Sequence, residues 1–585
     1  MLQRQLFAPF RVIPMNPAVK KLLPFLRWLP YRPETLRADF LAGLTVALVL
    51  VPQSMAYAQL AGLPPYFGLY AAFLPVMVAA LWGSSNQLGT GPVAVVSLLT
   101  ASSLTPFAAV GSDAFIALAI MLALLVGLVQ LLLGLFRLGV VVNFLSHPVI
   151  VGFTNAAAMI IGLSQLNKLI GVPMGRSESF VVDIWGVLRQ LGDTHWPTLA
   201  MGVAAIAVIW GLRRKAPRLP GVLIAVVLTT TISWLIGYAE QLGGQVVGAV
   251  PAGLPSLRLP VISLERVGAL ITPAIVISLV GFMEAISIAK AMAAKTKDRV
   301  EPNQELIGQG LANLVGAMTQ AFPVSGSFSR SAVNINAGAK TGMSSVFTGL
   351  FVLLTLLFLT PLLHHLPQAV LAAVIIMAVI GLINFGAVRH AWQASRHDGI
   401  ASLVAFVATL GFAPHLDKGI LVGAGLALGL YLYRTMTPRV AILGRYHDGT
   451  LRDARVNNLP PSDVVTAVRF DGSLYFANVA YFEDAILEAV ATNPKALYLL
   501  IVGDGINQID ASGEEVMHHL LDRLRSVGVT VVFSGLKKQV LDVMRATGLL
   551  DRIGQANIHA TAEQALAFIH AGTVPPAPTF NGNPQ

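Results

Sequence analysis

The sequence predicts an all-α, polytopic membrane domain of about fourteen spans, followed by a small cytoplasmic α/β domain. Composition is the first reason, because 55% of the 585 residues are hydrophobic and only 12% are charged. Ordinary soluble domains carry about 25% charged residues. The mean hydropathy of +0.71 also indicates a chain that mostly faces lipid. The second reason is that the apolar character stops near residue 436, and the rest has the composition of a soluble domain.

Composition divides the chain into five predicted segments. Residues 1–36 form a basic, proline-rich cytoplasmic segment, and residues 37–436 form the transmembrane domain. Residues 437–461 are predicted to be a linker, and residues 462–573 the α/β domain. Residues 574–585, rich in Pro, Gly and Asn, are predicted to be a disordered tail.

Apolar stretches approaching the 20 or so residues of a membrane helix predict ten of the spans. They are Phe40–Ala58, Phe115–Phe136, Val149–Ile170, Leu199–Leu212, Val222–Ile236, Leu270–Ala289, Val346–Leu363, Ala369–Ile383, Ile400–Phe412 and Ile420–Tyr433. Four shorter or weaker stretches bring the total to fourteen. They are Phe67–Leu81, Val93–Leu104, Leu306–Ala321 and Ala332–Ala339.

Positive charges in the connecting segments predict the orientation, because Lys and Arg concentrate in cytoplasmic loops. The segment before the first span carries Arg4, Arg11, Lys20, Lys21, Arg27, Arg32 and Arg37. Connections after even-numbered spans are also basic, and the loop after the fifth span, with Arg176 and Arg189, is the exception. We therefore expect a multi-pass protein of the cell (inner) membrane with both termini in the cytoplasm. The net charge of +10 comes from short loops of this kind, which favours the lipid bilayer and not nucleic acid as the partner.

Two interrupted spans occupy equivalent places, third in the first seven spans and third in the second seven. Residues 87–98 contain the unwound stretch Gly89-Thr-Gly-Pro92, and residues 322–333 contain Pro323-Val-Ser-Gly-Ser327. Each stretch is followed by a half-length apolar helix. A matched pair of this kind is typical of inverted-repeat transporters with a site at the midplane of the membrane. Two half-helix N-termini that meet offer free N–H groups and positive dipole ends, which together suit an anion. Poor helices or packing elements are the alternative interpretation.

Glu284 is a carboxylate deep in an apolar span. Placing a charge at this depth costs about 2.5 kcal/mol or more unless it faces protein or water. Desolvation favours its protonated form, which suits a role in coupling transport to H⁺. A structural role as partner to a helix-end donor is the alternative.

Arg330 is predicted in the first turn of the tenth helix, where a cation opposes the helix dipole. An anion between Arg330 and the helix end would remove that conflict, and so would an ion pair with Glu284. Ser327 and Ser329 could donate their hydroxyls to the same anion. Serines at helix starts are also common simply as caps.

Gln53 and Tyr57 lie one turn apart on the same face of the first helix. Pro52 should kink that helix and free a carbonyl. Either the two polar side chains face the site, or they hydrogen-bond to a neighbouring helix.

Motifs for other chemistry are absent. The sequence has no GxxxxGK[ST] loop for ATP and no HExxH zinc motif. It has no cysteine, and His364 and His365 lack metal-ligand spacing. We therefore expect no enzyme activity, no cofactor and no metal.

The C-terminal part alternates strands with amphipathic helices, as in a small α/β domain. The predicted strands are Val464–Phe470, Ala496–Val502 and Val529–Ser534, and the predicted helices are Phe482–Ala491, Gly513–Val527 and Lys537–Thr547. Asp510 and Ser512 could cap the second of these helices. An exposed serine there could also accept a phosphate.

Several stretches, in order, resemble the sulfate permease (SulP) family, called solute carrier family 26 in animals. The stretches are Val51–Tyr57, Pro64–Tyr70, Trp82–Ser85, Gly89–Ala94, Gly281–Ala285, Phe322–Arg330 and, in a terminal STAS domain, Asp510–Gly513. The resemblance covers residues 30–570. Phe67 and Asn86 depart from the family signature, and Ala511 replaces the first serine of the Asp-Ser-Ser-Gly motif found in anti-sigma-antagonist relatives.

The resemblance implies two inverted seven-span repeats, divided into core and gate subdomains that move like an elevator. The substrate would lie between the third and tenth half-helices, beside the first and eighth helices. The implied lining residues are Gln53, Tyr57, Val93, Ala94, Glu284, Ser327, Phe328, Ser329 and Arg330. The resemblance also implies symport with H⁺ or Na⁺ and a homodimer in contact through the STAS domains, and it leaves room for a cytoplasmic protein that binds the STAS domain.

We therefore interpret the chain as a secondary active transporter of inorganic anions, in the first place a proton symporter of sulfate. Sodium-coupled transport of bicarbonate, proton-coupled transport of C4-dicarboxylates and an uncoupled anion channel stay open as alternatives. A membrane sensor fits less well, because the sequence carries no catalytic or DNA-binding output domain.

Overall fold

The computed structural model describes residues 23–29, 31–140, 146–175, 177, 179–216, 219–251, 253–260 and 263–573. Several predicted features lie outside these ranges. They are the charges Arg4, Arg11, Lys20, Lys21 and Arg176, and the tail 574–585. The described chain divides into two compact units, and the division lies between Ala427 and Leu428.

The first unit is built almost entirely of helices, joined by one pair of very short strands. The helices of its first half are α1 (Pro33–Leu60), α2 (Tyr66–Ala71), α3 (Leu74–Trp82), α4 (Ala94–Leu104), α5 (Asp113–Leu135), α6 (His147–Ser164), α7 (Leu166–Ile170), α8 (Phe180–Arg189), α9 (Trp196–Lys215) and α10 (Gly221–Leu235). Strand β1 (Gly89–Gly91) precedes α4.

The second half repeats the pattern of a short strand followed by a short helix. Its helices are α11 (Leu264–Thr296), α12 (Pro302–Met318), α13 (Phe328–Asn336), α14 (Met343–Leu354), α15 (Gln368–Val379), α16 (Phe385–Ala394), α17 (Arg396–Gly411) and α18 (Leu416–Met436). Strand β2 (Ser325–Ser327) precedes α13.

Eight helical segments of the described chain are long and apolar enough to cross a membrane, and three shorter apolar segments accompany them. The prediction of a polytopic helical domain is confirmed, and the count of fourteen spans stays a prediction. Some predicted spans are broken. Phe67–Leu81 forms α2 and α3, because Ala72 and Phe73 leave the helix just before Pro75. Val346–Leu363 forms α14 followed by a π turn and a 3₁₀ turn.

The hydropathy pattern predicted the start of one short helix too far along the chain, and it missed two other helices. The predicted span Ala332–Ala339 is α13, which begins at Phe328, because its polar first turn carries little apolar signal. Helices α8 and α16 were not predicted, because both are short and their apolar residues are interrupted by charged or polar ones.

A buried polar network connects α12 to both interrupted spans. Glu305, in the first turn of α12, accepts hydrogen bonds from the backbone N–H groups of Ser84 and Ser85 at 2.8 and 3.0 Å. The Gln309 amide donates to the hydroxyl of Thr90, in β1, at 2.8 Å. One turn further on, the Asn313 side chain accepts from the N–H of Val324 at 2.8 Å. These bonds hold the chain before each half-helix in place.

Helix α12 can lie close enough for these bonds because small residues line its contact with α5. A Cβ atom added to Gly310 would lie 2.6 Å from the backbone nitrogen of Leu131, a distance that real Cβ atoms do not show. Small residues at helix contacts of this kind let membrane helices approach backbone to backbone.

The second unit is a six-stranded sheet with helices on both faces. The sheet order is β4 (Leu451–Asp453), β3 (Val440–Arg445), β5 (Val465–Phe470), β6 (Tyr498–Val502), β7 (Thr530–Ser534) and β8 (Ile558–His559). Strands β5 to β8 are parallel, whereas β3 pairs antiparallel with β4 and β5. The helices are α19 (Val479–Ala491), α20 (Ala511–Ser526), α21 (Lys538–Ala546), α22 (Leu549–Ile553) and α23 (Ala562–Thr573).

The predicted strands and helices of this domain are present, each shifted by three residues or fewer. The segment 437–461, expected to be a linker, contains β3 and β4, which extend the sheet. The strand pattern was not recognised there, because β3, β4 and the turn between them contain charged residues. Apolar residues fill both faces of the sheet, as in parallel sheets generally.

We predict that Glu305→Gln lowers the stability of the membrane unit. If the amide oxygen replaces Oε2 toward Ser84 and Ser85, its NH₂ group replaces Oε1 and faces the Gln309 amide, which is itself a donor. One buried hydrogen bond is then lost, at roughly 1–3 kcal/mol. Thermal unfolding in detergent should show a lower midpoint. Glu265→Gln is the matched control, because Glu265 is in the first turn of α11 but exposed. Equal midpoints for both variants would show that the network does not stabilise the fold.

Candidate functional site

The two interrupted spans meet through an antiparallel ladder. Gly89 pairs with Ser327, Thr90 with Gly326, and Gly91 with Ser325. Glycine and serine permit this close pairing because they add little bulk. The ladder places the starts of α4 and α13 side by side, as the matched pair of unwound segments predicted.

Neither half-helix has a side-chain cap at its N-terminus. Val93 and Ser327 are the N-cap residues, both in extended conformation, and neither side chain accepts a bond from its helix. The first N–H groups of a helix have no partner within the helix. The starts of α4 and α13 therefore present free donors and the positive ends of two helix dipoles.

A cavity of about 440 Å³ lies at these helix starts. It brings together eight of the nine predicted residues of the membrane site. They are Gln53, Tyr57, Val93, Ala94, Glu284, Ser327, Phe328 and Ser329. Phe328 is 55% exposed, and the hydroxyls of Ser327 and Ser329 lie 3.3 Å apart.

Arg330 lies behind the cavity wall and is not among the residues that line the cavity. Its side chain is 0% exposed. Nη1 donates to the carbonyl of Pro92 at 2.8 Å and to Oε1 of Gln53 at 3.4 Å. Nε and Nη2 have no hydrogen-bond partner in the described part of the chain. Arg330 therefore contributes positive charge from beneath the site and orients Gln53.

Gln53 connects Arg330 to Tyr57. Its Nε2 donates to the hydroxyl of Tyr57 at 3.0 Å, and this bond is buried. Because the amide oxygen faces Arg330, the amide orientation is determined on both sides. The predicted neighbour relation of Gln53 and Tyr57 is present, and both side chains also line the cavity.

Glu284 is half-buried and faces the cavity from α11. The ion pair with Arg330 that the sequence analysis weighed is absent, since among the described residues no carboxylate lies within 4.0 Å of Arg330. Arg330 binds the Pro92 carbonyl instead. The Glu284 carboxylate is left free to face water or a ligand in the cavity.

Sequence reasoning missed two features of this site. Glu305, Gln309 and Asn313 recur every four residues on α12, a spacing that puts them on one helix face. That pattern in an apolar segment could have shown the network. Arg213, which is exposed in the last turn of α9, also lines the cavity and adds positive charge there.

Asp510 and Ser512, the candidate regulatory residues of the α/β domain, lie at the start of α20, and Asp510 is the N-cap of that helix. One carboxylate oxygen accepts from the N–H of Gly513 at 2.9 Å, and the other accepts from the N–H of Phe476 at 2.9 Å. Ser512 is half-buried in the first turn and takes no part in this cap. The capping role therefore belongs to Asp510.

Comparison with known families agrees with this architecture. A model described as the sulfate permease family matches residues 36–405, and a STAS domain model matches residues 458–565. These matches confirm the resemblance that the motifs indicated.

Named relatives cover nearly the whole chain. "Sulfate transporter 4.1, chloroplastic" of Arabidopsis thaliana is 34% identical, covering 95% of this chain and 84% of its own length. A "probable sulfate transporter" of Mycobacterium tuberculosis is 33% identical, covering 92% of this chain and 96% of its own length.

Solved structures share the fold. Murine solute carrier 26 family member A9, an anion transporter in the inward-facing state, has a TM-score of 0.88 at 24% identity and covers 97% of both chains. The transmembrane domain of a cyanobacterial bicarbonate transporter has a TM-score of 0.57 at 24% identity. That match covers 68% of this chain and 98% of the other.

We predict that Gly89→Ala disturbs the ladder. The added Cβ would lie 2.9 Å from the Cβ of Arg330 and 3.3 Å from its carbonyl carbon, so the strand or α13 must move. The thermal midpoint in detergent should fall, with an unfolding free energy lower by roughly 1–3 kcal/mol. Gly268→Ala is the control, because nothing lies within 4 Å of its added Cβ in α11. A midpoint unchanged by Gly89→Ala would show that the ladder tolerates a wider separation.

Proposed function

The chain belongs to the sulfate permease family of anion transporters, and from that premise we propose that it carries sulfate into the cell by symport with protons. The anion binds in the cavity of about 440 Å³ between the N-termini of α4 and α13, which is called the anion cavity from here on. One observation supports this most directly: two uncapped helix starts open on a cavity that also holds a single free carboxylate, and a buried arginine lies behind the cavity wall.

The site chemistry favours an oxyanion. The N–H groups at the starts of α4 and α13 can donate to several oxygens of one ligand, and the Ser327 and Ser329 hydroxyls add further donors. Arg330 is held out of contact but close beneath, so its charge acts through a water-poor region where electrostatic attraction is strong. The names of the relatives point to sulfate as the oxyanion.

Glu284 supplies the coupling. When ionised, its charge repels an anion in the same cavity, and protonation removes that repulsion. Proton and anion therefore each favour the binding of the other, and linkage requires this effect to be reciprocal. Loading of both, followed by release of both on the other side, is symport.

Protons fit this site better than sodium. A sodium ion would need several oxygen ligands around the unwound segments. Among the described residues that line the cavity, Glu284 is the only carboxylate. A single carboxylate is sufficient to carry one proton.

The remaining features of the proposal concern assembly and regulation. The core and gate subdomains move past each other like an elevator, and the protein is a homodimer in contact through its STAS domains. It lies in the cell (inner) membrane with both termini in the cytoplasm. The STAS domain binds a cytoplasmic protein. Asp510 and Ser512 form its regulatory site, where a phosphate on Ser512 would change the charge beside the helix start.

Uptake of radiolabelled sulfate into proteoliposomes tests this proposal. The purified protein would be given an inward proton gradient, a sodium gradient or neither, with bicarbonate and fumarate as competitors. We expect sulfate accumulation only with the proton gradient. Uptake driven by the sodium gradient would assign a different coupling ion to the same site. Transport of bicarbonate or fumarate in place of sulfate would assign a different substrate to it. Passive flux unaffected by either gradient would indicate a channel.

We predict that Glu284→Gln abolishes proton-driven accumulation but retains exchange. The amide is permanently neutral like the protonated acid, so the anion still binds while no proton crosses with it. Counterflow of labelled sulfate against internal sulfate measures the exchange. Glu265→Gln, at an exposed position of the same helix, should keep both activities. Loss of both activities in a folded Glu284→Gln protein would remove the coupling role.

We predict that Arg330→Ala weakens anion binding in proportion to the charge of the anion. At about 1.4 kcal/mol per unit of charge, the loss would be roughly tenfold for a monovalent anion and a hundredfold for sulfate. Equilibrium binding to the purified protein measures both. Arg214→Gln is the control, because it removes an equal charge from an exposed arginine stacked on Trp210. The same loss for both anions would mean that Arg330 acts only through packing.

A further inference from the structure

A second, larger cavity lies on the other side of α1 from the anion cavity. It is a crevice of about 720 Å³, within the range of about 300–1,000 Å³ typical of ligand sites. Its walls are α1, α10 and the segment from Phe351 to His365, which includes the π turn Thr355–Leu359.

The walls of this crevice are almost entirely apolar. Leu44, Leu48 and Val51 of α1 face Leu223 and Val226 of α10. No Asp, Glu, Lys or Arg belongs to the described lining. Water needs two to four polar partners to occupy a cavity, and the apolar walls offer few of them. In a membrane protein, hydrocarbon is the material available to fill such a space.

One end of the crevice differs from the rest. Trp234, near the C-terminal end of α10, is 62% exposed, and it lines this end together with His365. Tryptophan side chains of membrane proteins concentrate at the level of the lipid headgroups. The crevice therefore has an apolar body and an interfacial end, as an amphiphile does.

Thr230, one turn before Trp234, adds a specific donor. The neighbouring hydroxyls of Thr229 and Thr231 bond to the carbonyls of Ala225 and Val227 at 2.7 and 2.8 Å. The buried hydroxyl of Thr230 lines the crevice and has no partner in the described part of the chain. A threonine in a helix ordinarily bonds to the carbonyl four residues earlier. Because the Thr230 hydroxyl makes no such bond, it keeps a donor for a ligand in the crevice.

We propose that the crevice binds one phospholipid. An acyl chain lies between α1 and α10, the Thr230 hydroxyl donates to an ester carbonyl, and the headgroup lies beside Trp234 and His365. The two faces of α1 then serve two ligands. Val49, Gln53 and Tyr57 face the anion cavity, whereas Leu44, Leu48 and Val51 face the lipid.

Native mass spectrometry of the protein extracted in mild detergent tests this site without measuring transport. We expect the wild type to retain one phospholipid through delipidation. Thr230→Phe fills the crevice and should lose that lipid, and Thr230→Val, which removes only the hydroxyl, should lose most of it. Ile232→Phe is the control on the same helix, because Ile232 does not line the crevice, and it should retain the lipid.

Thermal unfolding provides a second readout. Added phospholipid should raise the unfolding midpoint of the delipidated wild type and of Ile232→Phe, but not that of Thr230→Phe. The proposal is wrong if all variants retain lipid equally, if the wild type retains none, or if the retained mass is a detergent or a free fatty acid. Each of these outcomes leaves the proposed transport function unaffected, because neither readout involves the anion.

Discussion

The antiparallel pairing of residues 89–91 with residues 325–327 is the interaction on which the candidate site depends. Three residues on each side suffice because each strand leads directly into a helix. The pairing makes two helix dipoles converge, which is unfavourable unless negative charge lies between them. No side chain caps either helix start, and among the described residues that line the cavity Glu284 is the only carboxylate. In the proposed function, the transported anion supplies this charge.

The two helix starts and the buried Arg330 bring positive charges close together. The rest of the membrane unit has to hold them in place. Helix α12 does this with three polar side chains on one face, which hold the loop after α3, strand β1 and the approach to β2. A second buried carboxylate has a similar role. Asp39 of α1 accepts bonds from the backbone of Lys340 and Thr341 at 2.6 and 3.1 Å, so α1 is connected to the chain that follows α13. Each of these two carboxylates accepts hydrogen bonds from two backbone N–H groups and from two side chains.

Helix α1 connects the two cavities of the membrane unit. Gln53 and Tyr57 project into the anion cavity, and the opposite face borders the apolar crevice. Pro52 lines the crevice next to Gln53, and it lacks the N–H that would bond to the carbonyl of Leu48. Helix α1 therefore lacks one of its backbone hydrogen bonds where it borders both cavities.

The sequence alone determined the class of the protein, the position of the unwound segments and most of the residues that surround the anion cavity. Hydropathy and the matched Gly/Pro/Ser segments are local signals, so residues such as Ser327 and Glu284 could be predicted from them. Val93 was implied only by the family resemblance. The partners of Arg330 could not, because Pro92 and Gln53 are more than two hundred residues away and only packing decides whether Glu284 or a carbonyl is nearer. Strands β3 and β4 were hidden for a related reason, since short edge strands are stabilised by the sheet they join. Tertiary structure alone showed the crevice, because a cavity depends on the surfaces of several helices and no single segment encodes it.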